Sequence, residues 1–338
     1  MRRLFTFLLM ITLTMVSFTS CVEEEQFSDT PTGNFEALWK IIDQHYCFFD
    51  YKKEVYGLDW NEVYARYKPQ INDNMNEAQL FEVLGNMLGE LRDGHVNLYS
   101  SYDLSRYWSW YEDYPSNFSD TLQRTYLGTD YRLASGMKYT ILDDNIGYVY
   151  CGTFENDLGD SNLDQMLLYL APCNGIIVDV RNNGGGKIVS AEKLAARFTD
   201  NKMLVGYLQH KTGTGHSDFS SMEAQYLEPS SGIRWHKKVV LITNRKVFSS
   251  ANEYVKYMRC CNNVTQIGDK SGGGAGFPYS SELPCGWSVR FSACQIFDKN
   301  KNSAEFGIEP DHYVSLSTTD FLRGKDTIIE FARKLLAQ

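Results

Sequence analysis

Two adjacent serines in FSSANEYV, Phe248 to Val255, stand between an apolar run, KKVVLIT (Lys237 to Thr243), and a helix-patterned run, SANEYVKYMR. Hydroxyls at a strand-to-helix corner have two uses. One is capping: a serine oxygen satisfies an orphan helix N–H, and Glu253, three residues after Ser250, completes a capping box. The other is nucleophilic attack, at a place where helix N–H groups face a developing oxyanion. A second stretch, GIIVDVRNNGGGKIVSAEKLAARF, carries an apolar strand into Asp179, Arg181 and two asparagines before three glycines open a helix. Glycine lets backbone N–H groups approach a ligand without a Cβ in the way. A phosphate loop needs Lys-Ser/Thr after its glycines, and none follows here. The spacing does not match GxGxxG either. A backbone oxyanion cradle fits better.

The elements that must position these residues change character along the chain. Residues 34–92 carry helical stripes: Phe35, Leu38, Trp39, Ile42 and Tyr46 in one helix, and Leu80, Phe81, Leu84, Met87, Leu88 and Leu91 in another. Asp59 with Glu62, and Asn76 with Gln79, read as capping boxes. From Tyr139 onward short β-rich runs alternate with helical patterns, which predicts a mostly parallel α/β sheet. ELPCGWSVRFSACQIF reads as a hairpin-like pair, and DTIIEFARKLLA as a closing amphipathic helix. Residues 97–137 are rich in Tyr and Ser, without periodicity, and receive no assignment.

Composition sets the outer bounds. The 338 residues are 43% hydrophobic and 14% aromatic, enough for a real core. A formal charge of −9 without a basic block argues against nucleic acid as a partner. Eight cysteines and six histidines show no metal-ligand spacing, so no metal or cofactor is expected. The start, MRRLFTFLLMITLTMVSFTSC, has a basic end, a short apolar run and small residues before Cys21, the pattern of a secretory signal. Cys21 resembles the lipidated cysteine of a bacterial lipoprotein. The following VEEEQ resembles the export signal of Bacteroidetes-type surface lipoproteins. The expectation is an exported protein of a Gram-negative bacterium, anchored to the outer membrane or cell surface by acyl chains on Cys21. The seven other cysteines are an odd number, so at least one thiol stays free of an internal disulfide.

DVRNNGGG, then SSANE, then IGDKSGGGAG, then EFGIEPD resembles, in that order, the S41 serine peptidases: the C-terminal processing, or tail-specific, peptidases and their tricorn-core relatives. LRDGHVNL resembles the family's Asp-x-His segment. The resemblance spans about residues 34–316. It implies an α/β fold, a ClpP/crotonase-like ββα sheet domain preceded by an N-terminal helical bundle. The expected division is a signal peptide at 1–20, a tether at 21–33, a helical domain at 34–96, an unassigned connector at 97–138 and the catalytic domain at 139–338. The interval from Val96 to Lys138 is too short for a PDZ insert. The resemblance places the nucleophile on Ser250, with Ser249 a neighbour and Glu253 a cap. It places the oxyanion hole on the N–H groups of Ala251 and of Gly185 or Gly186. Ser–Lys members carry a lysine in a loop that here reads SGGGAG, which leaves Lys270 and Lys246 as fallbacks. The tricorn-like branch uses a histidine base and a glutamate, matched by His95 and Glu305, with Glu309 as the alternative. Gly94 stands where tricorn has a serine. A histidine base implies activity rising with pH through roughly 6 to 7. The implied activity is endopeptidase cleavage of peptides or protein tails. The alternative is a catalytically inactive binding protein on the same fold, as in retinoid-binding relatives. A crotonase-like acyl-CoA enzyme would leave SSANE and the secretory signal unexplained.

Overall fold

The structure, a computed structural model, describes residues 26–337; the expected signal peptide and Cys21 lie outside them. Helices α1 (Pro31–His45), α2 (Phe49–Tyr56), α3 (Trp60–Tyr67) and α4 (Glu77–Gly89) come first. Asn76 and Gln79 form both halves of the capping box that starts α4. Asp59 caps α3 by accepting the N–H groups of Asn61 and Glu62. The predicted stripe residues Phe35, Leu38, Ile42, Leu84 and Leu91 are fully buried. They share one core with Leu283, Trp287, Val289 and Phe291 from the far end of the chain.

The segment left unassigned by the sequence supplies β1 (Asn97–Tyr99), β2 (Leu104–Arg106), α5 (Asp120–Leu127) and β3 (Arg132–Ala134). There follow β4 (Met137–Ile141), β5 (Gly147–Tyr150), α6 (Asp160–Leu170), β6 (Ile176–Asp179), α7 (Ile188–Ala195), β7 (Met203–His210), β8 (Glu223–Leu227), β9 (Val239–Thr243), α8 (Ser250–Met258) and β10 (Val264–Gly268). The chain ends through β11 (Gly276–Glu282), β12 (Ser288–Phe297), β13 (His312–Tyr313), α9 (Thr318–Leu322) and α10 (Thr327–Leu336). One sheet has the order β13-β10-β9-β6-β5-β4-β3. Its strands from β13 to β5 run parallel, and β4 and β3 are antiparallel additions. The second sheet, β2-β1-β12-β7-β8 with β11 also on β12, is antiparallel. The hairpin exists, but its first arm is GFPYSSE, earlier than expected, with ELPCG only at its turn.

Every residue of β6 and β9 is buried, as strands covered on both faces require. On one face Leu163, Leu167, Leu194, Tyr254 and Met258 of α6, α7 and α8 pack on Val178 and Leu241. On the other, Ile328, Ile329 and Leu336 of α10 pack on Ile177, Val240 and Ile242. Among the described residues no helix is long and apolar enough to cross a membrane. The seven described cysteines are free thiols.

Asp179 and Arg181 of the DVR motif serve this architecture. Arg181 Nη2 lies 2.6 Å from Asp179 Oδ2, and Nη1 lies 2.9 Å from Asp326 Oδ2, with all three side chains at most 1% exposed. Asp326 in turn caps α10 through the N–H of Ile328 and Ile329. Arg181 Nη1 also donates to Asn117 O at 3.0 Å. The guanidinium thereby ties β6 to the last helix and to the loop before α5. Removing the one cation from a buried triad leaves uncompensated carboxylates, a loss of about 3–5 kcal/mol. Arg181→Met is expected to lower the urea-unfolding free energy by that amount; a loss well under 1 kcal/mol would show that the triad does not hold the layers together.

Candidate active site

Strands β6 and β9 are parallel neighbours, so both hand their following loops to the same edge of the sheet. One loop is the glycine run 184–186. The other leads into α8 through Phe248 and Ser249. Asn183 joins them: its carbonyl accepts the Phe248 N–H at 3.0 Å, and its Oδ1 accepts the Gly185 N–H at 2.9 Å. Ser249 has φ 58° and ψ −127°. That region is nearly closed to side-chain-bearing residues and carries roughly 1–3 kcal/mol of strain. The surroundings enforce it. Ser249 N donates to Gly273 O at 2.9 Å, and Glu253 N donates to Ser249 O at 3.0 Å. Gly185 backs onto the corner: a Cβ there would stand 2.9 Å from the Ser249 Cβ, and its φ of +104° also favours glycine.

His95 follows α4 on a short turn and is 3% exposed. Its Nε2 lies 3.0 Å from Ser249 Oγ. Its backbone N–H donates to Asp93 Oδ1 at 2.8 Å. Asp93 Oδ2 accepts the Tyr46 hydroxyl at 3.0 Å and the Ser292 hydroxyl at 2.9 Å. Burial lowers His95 to about 4; Asp93 opposes the drop, while Arg290 and Lys52 add to it. The imidazole is therefore neutral, with a lone pair available, well below the range of 6 to 7 expected from an unperturbed histidine.

The two serines are not equivalent. The resemblance pointed to Ser250, but the hydroxyl beside His95 belongs to Ser249. Helix α8 begins at Ser250 and turns that side chain inward, where it is 4% exposed and its Oγ has no hydrogen-bond partner among the described residues. The capping box with Glu253 does not form: Ser250 is the first helical residue, the N-cap Ser249 makes no side-chain cap bond, and the Glu253 carboxylate pairs with Lys256 at 2.8 Å. Two of the three expected oxyanion donors are already engaged. Ala251 N bonds Phe248 O at 3.1 Å, and Gly185 N bonds Asn183 Oδ1. Among the described residues, the N–H groups of Gly186 and of Ser250 carry no internal bond.

Glu305 is 5% exposed and sits near the histidine turn, but no hydrogen bond joins it to His95. Its Oε2 accepts the Ala275 N–H at 2.9 Å, and its Oε1 lies 3.3 Å from Lys52 Nζ. Burial pushes Glu305 up to about 7, Asp93 adds to the rise and Lys52 opposes it. Glu309 is 59% exposed and pairs with Lys270 at 2.9 Å, while Lys246 lies over the Tyr111 ring at 4.4 Å. Neither fallback lysine shows a contact with either serine. Lys52, from α2, is the charged residue that sequence reasoning missed. It is separated from Glu305 by 253 positions, and its own helix offers no signal.

The Tyr/Trp-rich segment closes one side of the site. Trp110 Nε1 donates to Arg245 O at 2.9 Å, and Trp108 Nε1 donates to Gly94 O at 3.3 Å. The Trp110 ring stacks on Phe248 at 4.3 Å, and Phe248 lies 4.9 Å from the His95 ring. A Cβ at Gly94 would meet Trp110 at 2.7 Å and Phe248 at 2.9 Å, which explains glycine where tricorn has serine. Beside the serine–histidine pair opens a cleft of about 410 Å³ lined by Lys52, Tyr56, Arg92, Trp110, Phe248 and Glu305, among others. Among the described residues no group of three or more His, Cys, Asp or Glu side chains could hold a metal ion.

The profile of Peptidase family S41 matches residues 145–314, and that of the tricorn protease C1 domain matches residues 27–89. A crystal structure from Parabacteroides merdae, ascribed to a peptidase, is 51% identical, covers 92% of this chain and 98% of its own, and superposes with a TM-score of 0.87. Mature CPAF in complex with lactacystin is 10% identical over 91% of this chain and 97% of its own, with a TM-score of 0.70. The photosystem II D1 C-terminal processing protease is 13% identical over 84% of this chain and 93% of its own, with a TM-score of 0.52. These last two share the fold. No protein of curated function matches by sequence. The chain belongs to peptidase family S41, and its sheet domain with a helical region before it is the fold of that family.

The burial of His95 has a measurable sign. The folded state favours the neutral ring, whereas the unfolded chain binds a proton near 6.5. Stability therefore falls as pH drops from about 6.5 towards 4, because only the unfolded state takes up that proton. NMR of the labelled imidazole is expected to show His95 neutral from pH 8 down to about 5. A titration midpoint at 6 or above would contradict the buried, desolvated ring.

Proposed function

We propose that the protein is a serine peptidase that cleaves peptides or protein tails through an acyl-enzyme on Ser249, with His95 as the base. The observation that carries this reading is the 3.0 Å contact between His95 Nε2 and Ser249 Oγ at a strained strand-to-helix corner. In the proposed reaction Nε2 takes the Oγ proton as oxygen bonds to the scissile carbonyl carbon. The resulting oxyanion lies against unclaimed N–H groups, those of Ser250 and of the glycine run, where Gly186 is free. The imidazolium then returns the proton to the leaving amine as the C–N bond breaks. Water, deprotonated by the same nitrogen, releases the acyl group and restores Ser249. Asp93, whose charge favours the protonated ring, supplies the negative field that an imidazolium needs. This reading replaces Ser250, Ala251 and Gly185 of the sequence expectation by Ser249 and the Ser250 N–H, and retains Gly186, His95 and Glu305.

A fluorophosphonate probe followed by peptide mapping is expected to label Ser249. Ser249→Ala should abolish labelling and lower peptide turnover by roughly 10⁴-fold or more. Ser250→Ala should keep near-normal turnover, and removal of a buried unpaired hydroxyl should leave stability unchanged or raised. A folded wild type that never labels would point instead to a binding protein; label on Ser250 would restore the first assignment.

For location, we propose an outer-membrane or cell-surface lipoprotein held by acyl chains on Cys21, on the strength of the residues around that cysteine. Cys21→Ala is expected to move the protein from the membrane to the soluble fraction. A wild type that is soluble and carries no lipid would end this proposal.

A further inference from the structure

Lys52 sits where a helix of the N-terminal region meets the catalytic corner. It is 1% exposed. Its Nζ donates to Arg92 O at 3.1 Å and to Glu305 Oε1 at 3.3 Å, and stands 4.9 Å from the centre of the Phe306 ring. Each oxygen belongs to a different half of the site. Arg92, held at φ 46°, opens the Asp93–Gly94–His95 turn. Glu305 grips the glycine loop twice: its Oε2 accepts the Ala275 N–H, and its carbonyl accepts the Gly274 N–H at 3.0 Å. The preceding Gly273 supplies the carbonyl that holds Ser249 N. One ammonium thus connects the segment that carries the base with the segment that carries the nucleophile.

We propose that Lys52 is a positioning residue: it clamps the His95 turn to the Glu305–glycine-loop unit and so fixes the Ser249–His95 contact. The inference rests on the serine-peptidase reading above. The titratable groups facing this pair are Tyr51 and Tyr56 of α2, Tyr46 and Cys47 just before it, and Asp93 and His95 of the histidine turn, where Lys52 lowers the imidazole. Asp93 is the second carboxylate, and Lys52 is the cation in direct contact with Glu305. Burial works against its charge, yet Glu305 and Asp93 raise Lys52 above the ordinary lysine range. Without it, Glu305 is a buried carboxyl beside Asp93 that holds its proton to higher pH than in the wild type. A displaced base or nucleophile of about 1 Å is worth roughly a hundredfold in rate.

The test compares full-length wild type, Lys52→Met, Lys52→Arg, Glu305→Gln and the double variant Lys52→Met/Glu305→Gln, each checked for folding by circular dichroism. Fluorophosphonate labelling of Ser249 and peptide turnover are followed from pH 5 to 9. Lys52→Met is expected to lose roughly a hundredfold in kcat with little change in KM, and to lose less at alkaline pH as Glu305 ionises. Lys52→Arg should recover much of the loss. If Lys52→Met does not fold, the double variant, which removes both partners of the Lys52–Glu305 pair, is compared with Glu305→Gln alone and should be slower than that single variant; equal rates would overturn the proposal. Folded Lys52→Met that labels at the wild-type rate across the whole pH range overturns the proposal. So does a loss that is uniform with pH and is not rescued by arginine. A wild type whose Ser249 never labels overturns the catalytic reading beneath it, a distinct outcome.

Discussion

The site depends on one backbone conformation. Ser249 occupies a region that a side chain resists, and the chain holds it there with main-chain hydrogen bonds rather than with its own side chain. The Gly273 carbonyl takes its N–H, and the Asn183 carbonyl takes that of Phe248. This leaves the Ser249 hydroxyl free for His95. Much of the surrounding sequence follows from that requirement. Gly185 has no Cβ because the corner presses against it, and Gly273 has none because a Cβ would fall 1.8 Å from the Glu305 carbonyl. The parallel pairing of β6 and β9 brings the two loops together at one sheet edge.

Periodicity was enough for the regular elements. The stripes in α1 and α4 are the buried faces, and the apolar runs at β6 and β9 are the doubly covered strands. The segment between β1 and β4 resisted assignment for a physical reason. Its strands are three residues long, too short for an alternation to register, and its aromatic side chains pack on the active-site corner instead of forming a stripe. Order of motifs along the chain was also legible, and it located the corner, the glycine run, His95 and Glu305.

The choice within the corner was not legible. Ser249 and Ser250 are the same residue type and differ in dihedral angles and in which way the helix start turns them. The state of the expected oxyanion donors was equally hidden, since a sequence does not say that the Ala251 and Gly185 N–H groups are spent on neighbours while that of Gly186 is not. Glu253 looked like a cap because of its spacing, but a buried lysine one turn along claims its charge. Lys52 was invisible for another reason: its significance comes entirely from a partner on the far side of the chain. Gly94, by contrast, was noticed as a departure and becomes intelligible only with Trp110 and Phe248 in place.

The helices at the start of the chain and the hairpin near its end share a single core. His95 and Lys52 enter the site from the first third of the sequence, Ser249 and Glu305 from the last. A ribosome releases these parts in that order. A chain emerging N-terminus first therefore holds its histidine long before it has the serine that lies beside it in the fold, and the hairpin that completes the helical core arrives after the serine. In the proposed serine-peptidase reading, competence is thus tied to the completed tertiary structure: a partly made or partly unfolded molecule has the ingredients in separate places.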